Sequence, residues 1–223
     1  MSQSMDYFEQ WQYLSVAAKD WQNDPSEQQH PGRAKVAELV KAAGNSVLEV
    51  ACGIGIDYPR YKELGVNYMG VDITPRFIEE AQRRGVPAQV ADGRNLPFPD
   101  NSFDTVYAKD LFIHLPPNVW RQVLKEMARV ARKQVLILDD AWYGRTLYLL
   151  REKYHALVKG KVQELLFYNN LYAEDDFHKE AESLGLTVEV TQGGNVKRIE
   201  VSPDGTKGVL HPSQITIYHK KEQ

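Results

Sequence analysis

The chain has 223 residues, 43% of them hydrophobic, with 27 Lys and Arg against 30 Asp and Glu, a net charge of −3 and a pI near 6.1. That length can bury one full core, so a single elaborated domain is expected. The slight acidity excludes the basic footprint of a protein that grips a phosphate backbone, no apolar run is long enough for a membrane span, and the first residues lack a signal-peptide pattern. These properties predict a cytoplasmic monomer or homodimer with a small-molecule partner and no nucleic-acid or membrane partner. One cysteine, Cys52, excludes an internal disulfide and a cysteine-based zinc cluster.

Residues 5–22 carry Met5, Phe8, Trp11, Leu14 and Trp21 in a helical stripe, either packed on the side of the domain or closing as a lid over a ligand. Asn23-Asp24-Pro25 breaks it. A second helix is predicted over Pro31–Ala43, with Val36, Leu39 and Val40 on one face and a stop at Gly44-Asn45. The first strand, Ser46–Val50, runs into Ala51-Cys52-Gly53-Ile54-Gly55, a glycine turn, and a short helix resumes at Tyr58. Val66–Asp72 forms a second strand ending in an acid, 17 residues past Gly55 and near the offset at which an acid takes ribose hydroxyls in a nucleoside-binding βαβ unit. Helix Pro75–Arg84, strand Val86–Ala91 and strand Phe103–Ala108 follow, the last two separated by the turn-rich segment from Asp92-Gly93 to Ser102.

Strands alternating with helices predict a mostly parallel α/β sheet that binds ligands beyond the carboxyl ends of its strands. Glu49, Asp72, Asp92 and Asp110 all fall at or just past those ends, so the ligand edge is acidic. A dinucleotide fits this poorly. Tyr58 occupies the place of the third small residue of a pyrophosphate turn, and Glu49 and Asp57 repel phosphate. A cationic, phosphate-free nucleoside suits the charge pattern better.

With these residues in place, the sequence resembles the class I S-adenosylmethionine-dependent methyltransferases, in particular their small-molecule, type 11-like branch. Glu49–Gly55 looks like the first motif, Gly70–Ile73 the second, and Asp92–Phe98 and Ser102–Asp104 the third and fourth, over about residues 35–140. The resemblance implies a Rossmann-like, doubly wound, seven-stranded and mostly parallel sheet with an antiparallel last strand. The expected organisation is an N-terminal helix or lid (1–30), a cofactor core (31–140), a helical insert after the fifth strand (141–185) and C-terminal strands (186–223).

By the same resemblance, Glu49 and the backbone of Gly53 and Gly55 hold the methionine moiety, and Asp72 takes the ribose. Ile73 packs on the adenine, Asp92 accepts from its amine, and the Gly93 N–H addresses the ring. Ala108 and Lys109 border the methyl group. Ala51 stands where the family more often has glycine, and its methyl is tolerated at negative φ. Asp104 reads as a structural contact, Asp57 as a helix-start carboxylate, and Cys52 as a packing residue.

His114, in Leu111–Pro117, is a candidate general base, as is Asp110; a packed histidine is the alternative. A helix to about Ala131 and a fifth strand, Gln134–Leu138, end at Asp139-Asp140, an acidic pair similar to that of magnesium-dependent relatives. Lys109 at the matching place after the fourth strand disfavours a metal. Helices over 146–166 and about 173–184 flank the aromatic, amide-rich joint Phe167–Tyr172, a pocket-forming composition. Strands Leu186–Thr191 and Gln214–Lys220 close the sheet, with a hairpin turning at Ser202–Gly205 between them. The expected activity is methyl transfer to a small-molecule acceptor; a non-catalytic cofactor-binding subunit and a nicotinamide-dependent oxidoreductase are the alternatives.

Overall fold

The structure, a computed structural model, describes residues 28–112, 115, 119–138, 174–202 and 205–221. The helical stripe at 5–22, His114, Asp139 and Asp140, the helix expected over 146–166 and the joint at 167–172 lie outside the described residues. The elements are α1 (Pro31–Ala43), β1 (Ser46–Val50), α2 (Tyr58–Glu63), β2 (Asn67–Asp72), α3 (Pro75–Arg83), β3 (Ala88–Val90), β4 (Phe103–Lys109), α4 (Trp120–Val130), β5 (Ala131–Leu138), α5 (Glu174–Ser183), β6 (Leu186–Ser202) and β7 (Gly205–Lys220).

They form one seven-stranded sheet in the order β3-β2-β1-β4-β5-β7-β6. The first five strands are parallel, and β7 runs antiparallel to both neighbours. At the centre, β1, β4 and β5 are buried along nearly their whole length because both of their faces are covered. On one face α1, α2 and α3 pack through Val36, Val40, Tyr61, Ile78 and Ala81; on the other, Trp120, Val123, Leu124 and Met127 of α4 and Phe177 of α5 close a second core. The strand order reverses between β1 and β4, which opens a crevice beyond their carboxyl ends.

At the opposite edge of the sheet, Asp104 accepts from Asn45 N (3.0 Å), Ser46 Oγ (3.1 Å) and Arg132 Nη1 (2.9 Å), tying together the starts of β1, β4 and β5. It is structural, as its place in the strand implied. Its partial desolvation is outweighed by these hydrogen bonds and by the charges of Lys133 and Arg132, which hold its carboxyl below the usual range. Gly44 stops α1 for a different reason than its left-handed freedom. Its φ is 170°, an extended conformation, and a Cβ there would overlap the Asp104 carboxyl.

The C-terminal strands are longer than their sequence suggests. The two short strands and the hairpin expected between them are one continuous ladder, from Leu186 paired with Lys220 to Ser202 paired with Gly205, with a register shift between Gln192 and Gly194. Leu138, the last residue of β5, pairs with Ile215. The ladder therefore continues past the ligand edge, and its nine further pairs, from Gly194–Ser213 to Ser202–Gly205, reach roughly 30 Å beyond it at about 3.3 Å per residue. No helix among the described residues is long and apolar enough to cross a membrane.

Candidate functional site

The site is built around the turn after β1. Ala51, Gly53 and Gly55 have φ of 60°, 54° and 76°, three left-handed residues in five. Glycine meets this at two of the positions, and at Gly55 a Cβ would also lie 2.6 Å from Val86. Ala51 corrects the expectation of negative φ: the turn is pinned by Cys52 N donating to Val71 O (3.0 Å) and Gly55 N to Cys52 O (2.9 Å), and the alanine is forced to follow. A left-handed alanine costs about 1–2 kcal/mol, of which glycine's greater unfolded-state freedom returns roughly half. Ala51→Gly is therefore expected to raise stability by about 0.5–1 kcal/mol in thermal or urea unfolding, and a lower melting temperature would contradict the strain. Cys52 is buried, and burial, followed by the charges of Asp72 and Glu49, pushes its thiol up, so it packs and does not attack.

Asp72 ends β2 beside this turn. Its Oδ2 accepts from Gly53 N and its Oδ1 from Thr74 N, each at 2.9 Å. A carboxylate offers about four lone-pair directions, so two hydroxyls can still be received. Burial raises its pKa, while the Thr74, Gly53 and Ile73 donors oppose that shift. Ile73, half-buried, follows at the strand end.

Asp92 is more committed than its assigned role implies. Arg94 Nε reaches both carboxylate oxygens (3.0 and 2.9 Å), Nη2 reaches Oδ2 (2.5 Å), and Arg94 N donates to Oδ1 (2.9 Å). An adenine amine would have to share this carboxylate with the guanidinium. Partial burial raises the Asp92 pKa, but Arg94 more than offsets it. The loop that follows is clamped to α4: Leu96 N donates to Glu126 Oε2 (2.9 Å), and Arg129 donates to Leu96 O (3.0 Å) and Phe98 O (2.9 Å). Gly93 lies in this loop, near Val50 and Val123.

Under the turn, on the α1 face, lies a buried polar cluster. Glu49 is 3% exposed and accepts from Tyr68 Oη at 2.6 Å. Asp57 does not cap α2; its Oδ2 takes Arg33 Nη1 at 2.5 Å and its Oδ1 takes Arg60 Nη1 at 3.4 Å. Asp57 does stand at the start of α2, as expected, but both guanidinium groups bind its carboxylate, which also weakens its repulsion of phosphate. Burial, then Asp57, raises the Glu49 carboxyl well above its ordinary range.

At the end of β4, Ala108 is fully buried in the core and paired with Ile137. The strand runs one residue further, to Lys109, whose buried ammonium pairs with Asp110. Asp110 has φ of 51°, and its N–H donates to Leu138 O (3.0 Å). Among the described residues no group of three His, Cys, Asp or Glu side chains is arranged to hold a metal.

The structure thus gathers Glu49, Gly53, Gly55 and Asp72 around one turn and sets Asp92 and Gly93 beyond the neighbouring strand. Arg33, Arg94, Glu126 and Arg129 escaped the sequence reading. Only Glu126 and Arg129 had a local signal, their three-residue spacing on a helix.

A doubly wound sheet with this strand order, a glycine turn and an acid closing the second strand is the arrangement found in nucleoside-binding α/β domains. Residues 48–138 match the family described as "Methyltransferase domain". The chain is 36% identical over 91 residues to a demethylmenaquinone methyltransferase of Corynebacterium urealyticum, covering 41% of this chain and 39% of that one. It is 35% identical over 117 residues to a phosphatidylethanolamine N-methyltransferase of Cereibacter sphaeroides, covering 48% and 56%. The chain therefore spans about half or less of the length of these curated relatives. In fold, it is similar to the magnesium protoporphyrin IX methyltransferase of Synechocystis crystallised with S-adenosylhomocysteine, with a TM-score of 0.65, 17% identity and coverage of 94% and 97%. Residues 48–138 are thus similar in sequence to methyltransferase domains, and the chain shares its fold with a methyltransferase crystallised with S-adenosylhomocysteine.

Proposed function

We propose that this protein transfers a methyl group from S-adenosylmethionine to a small-molecule nucleophile by in-line displacement. The observation that carries this reading is Asp72, whose carboxylate closes β2 and is held by the N–H of Gly53 in the glycine turn, next to the buried acid Glu49. A sulfonium-bound methyl, when the cofactor is present, is the electrophile. The chain's own residues bind and orient. Asp72 takes the ribose diol, Ile73 and the Gly93 backbone hold the base with Asp92 beside it, and Glu49 with the Gly53 and Gly55 backbone fixes the amino-acid end. Alignment of this kind can supply up to about 7–11 kcal/mol of barrier reduction.

The acceptor is a small molecule, in keeping with relatives named for demethylmenaquinone and phosphatidylethanolamine. It approaches over the carboxyl ends of β4 and β5, beside the backbone of Ala108 and Lys109. His114, outside the described residues, is the base proposed for its deprotonation, with Asp110 the weaker choice. A net charge of −3 supports an aqueous, cytoplasmic setting without nucleic acid.

Calorimetric titration with S-adenosylhomocysteine and, separately, NADH tests the cofactor reading. Tight binding of the first alone is expected, and preference for NADH would overturn it. Release of S-adenosylhomocysteine in the presence of acceptors then measures turnover, and His114→Ala should flatten its pH profile. An unchanged profile would remove His114 from the reaction.

A further inference from the structure

Beyond Gln192 the hairpin of β6 and β7 leaves the sheet. Leu138 is the last residue of β5 to pair with β7, at Ile215, so residues 194–202 and 205–213 pair only with each other among the described residues. Two strands standing alone are marginally stable in water, and a lasting ribbon needs further strands. Each strand here also turns one edge of N–H and C=O groups toward any strand that can pair with it.

The two edges differ in sequence. Along its free stretch β7 carries Gly205, Gly208 and Pro212, residues that weaken a strand or remove a donor from its edge. From Asn195 to Ser202, between the register shift at Gln192/Gly194 and Pro203, β6 carries neither glycine nor proline. That edge is open to pairing.

We propose that this stretch of β6 docks a second copy of the chain, the two β6 strands pairing antiparallel about a two-fold axis at Ile199. Symmetry selects the register. In a two-fold antiparallel pair, hydrogen-bonded and non-hydrogen-bonded positions alternate, so one residue must stand opposite itself. Lys197, Arg198 or Glu200 in that place would each oppose its own charge, which is destabilising. Ile199 opposes an apolar residue instead. Arg198 then stands opposite Glu200 of the second copy, and the symmetry repeats that pair. In its own hairpin Arg198 is in register with Val209 and Glu200 with Lys207, so the row across four strands reads Val209, Arg198, Glu200, Lys207, an acid between two cations. Two marginal hairpins become one four-stranded ribbon. The pairing is independent of the cofactor.

Sedimentation equilibrium on the full chain is expected to show a reversible dimer. Arg198→Glu sets acid against acid between copies, and the residue opposite it in its own hairpin is the uncharged Val209. Glu200→Arg sets cation against cation. Each variant alone is expected to raise the dimer dissociation constant by roughly tenfold or more. An equimolar mixture of the two should recover the dimer, because both opposed positions then carry opposite charges, and that recovery also shows that each variant folds. Ile199→Cys reads the register. Directly opposed residues in an antiparallel pair have Cα atoms about 4.5–5.5 Å apart, within disulfide reach. The native cysteine, Cys52, is buried. Oxidation should therefore link two chains through position 199, and should not link them in Lys197→Cys, whose two copies are offset along the strands. A wild-type chain that stays monomeric, a dimer indifferent to Arg198→Glu, a mixture that fails to recover, or equal linking at positions 197 and 199 would each overturn the proposal.

Discussion

Replacing Asp72 with alanine is expected to weaken S-adenosylhomocysteine binding by roughly 10²–10⁴-fold, because two hydrogen bonds to a charged group are each worth about 1.5–3 kcal/mol. Ligand contacts are only part of the loss. The same carboxylate receives Gly53 N and Thr74 N at 2.9 Å, so its removal also leaves two N–H groups at the turn without an acceptor. Asp72→Asn should do little better, since one of its two ends would set an NH₂ against a backbone N–H. Asp92→Ala is the informative contrast. Its carboxylate is already spent on Arg94, so an adenine amine gains less there, and a loss of no more than about tenfold is expected. Calorimetry on the three variants, with circular dichroism to verify folding, reads the difference directly. Wild-type affinity in Asp72→Ala would sink the assignment of the ribose site.

The motifs that place this site were legible because they are local. An apolar run ending in Gly-x-Gly, and a second ending in Asp72, announce the turn and the acid without knowledge of the rest of the chain. Central strands β1, β4 and β5 were readable for the same reason. What escaped the sequence is tertiary in origin. Arg33 meets Asp57 across 24 residues, and nothing at the start of α1 distinguishes it from a solvent-facing cation. Ala51 adopts positive φ because the bond from Cys52 N to Val71 O fixes where the chain must go, against the preference of the residue. The sequence predicts strands only over Leu186–Thr191 and Gln214–Lys220, and Gly193, Gly194 and Pro212 lie just inside the stretch between them. In the fold they lie where the ladder leaves the sheet, and an edge tolerates a proline that a central strand would not.

A second large effect is expected at Arg33, this time on stability. Its ion pair with Asp57 is almost wholly buried, at 6% and 2% side-chain exposure. Arg33→Met would leave that carboxylate beside Glu49 with only the half-exposed Arg60 at 3.4 Å as counter-charge. Breaking one partner of a buried pair costs about 3–5 kcal/mol, which in a chain of this size lowers the melting temperature by roughly 6–20 °C. Arg33→Met combined with Asp57→Leu should recover most of the loss, because the expense lies in the stranded ion and an apolar pair of similar volume strands nothing. The double variant also separates stability from recognition. Asp57 raises the Glu49 carboxyl, so removing the pair should shift the pH at which Glu49 ionises. A double variant that melts as the wild type does, yet binds S-adenosylhomocysteine with a displaced pH dependence, would show that the pair tunes Glu49. If the single variant melts at the wild-type temperature, the pair carries no stability, and the cluster's charges must be balanced in another way.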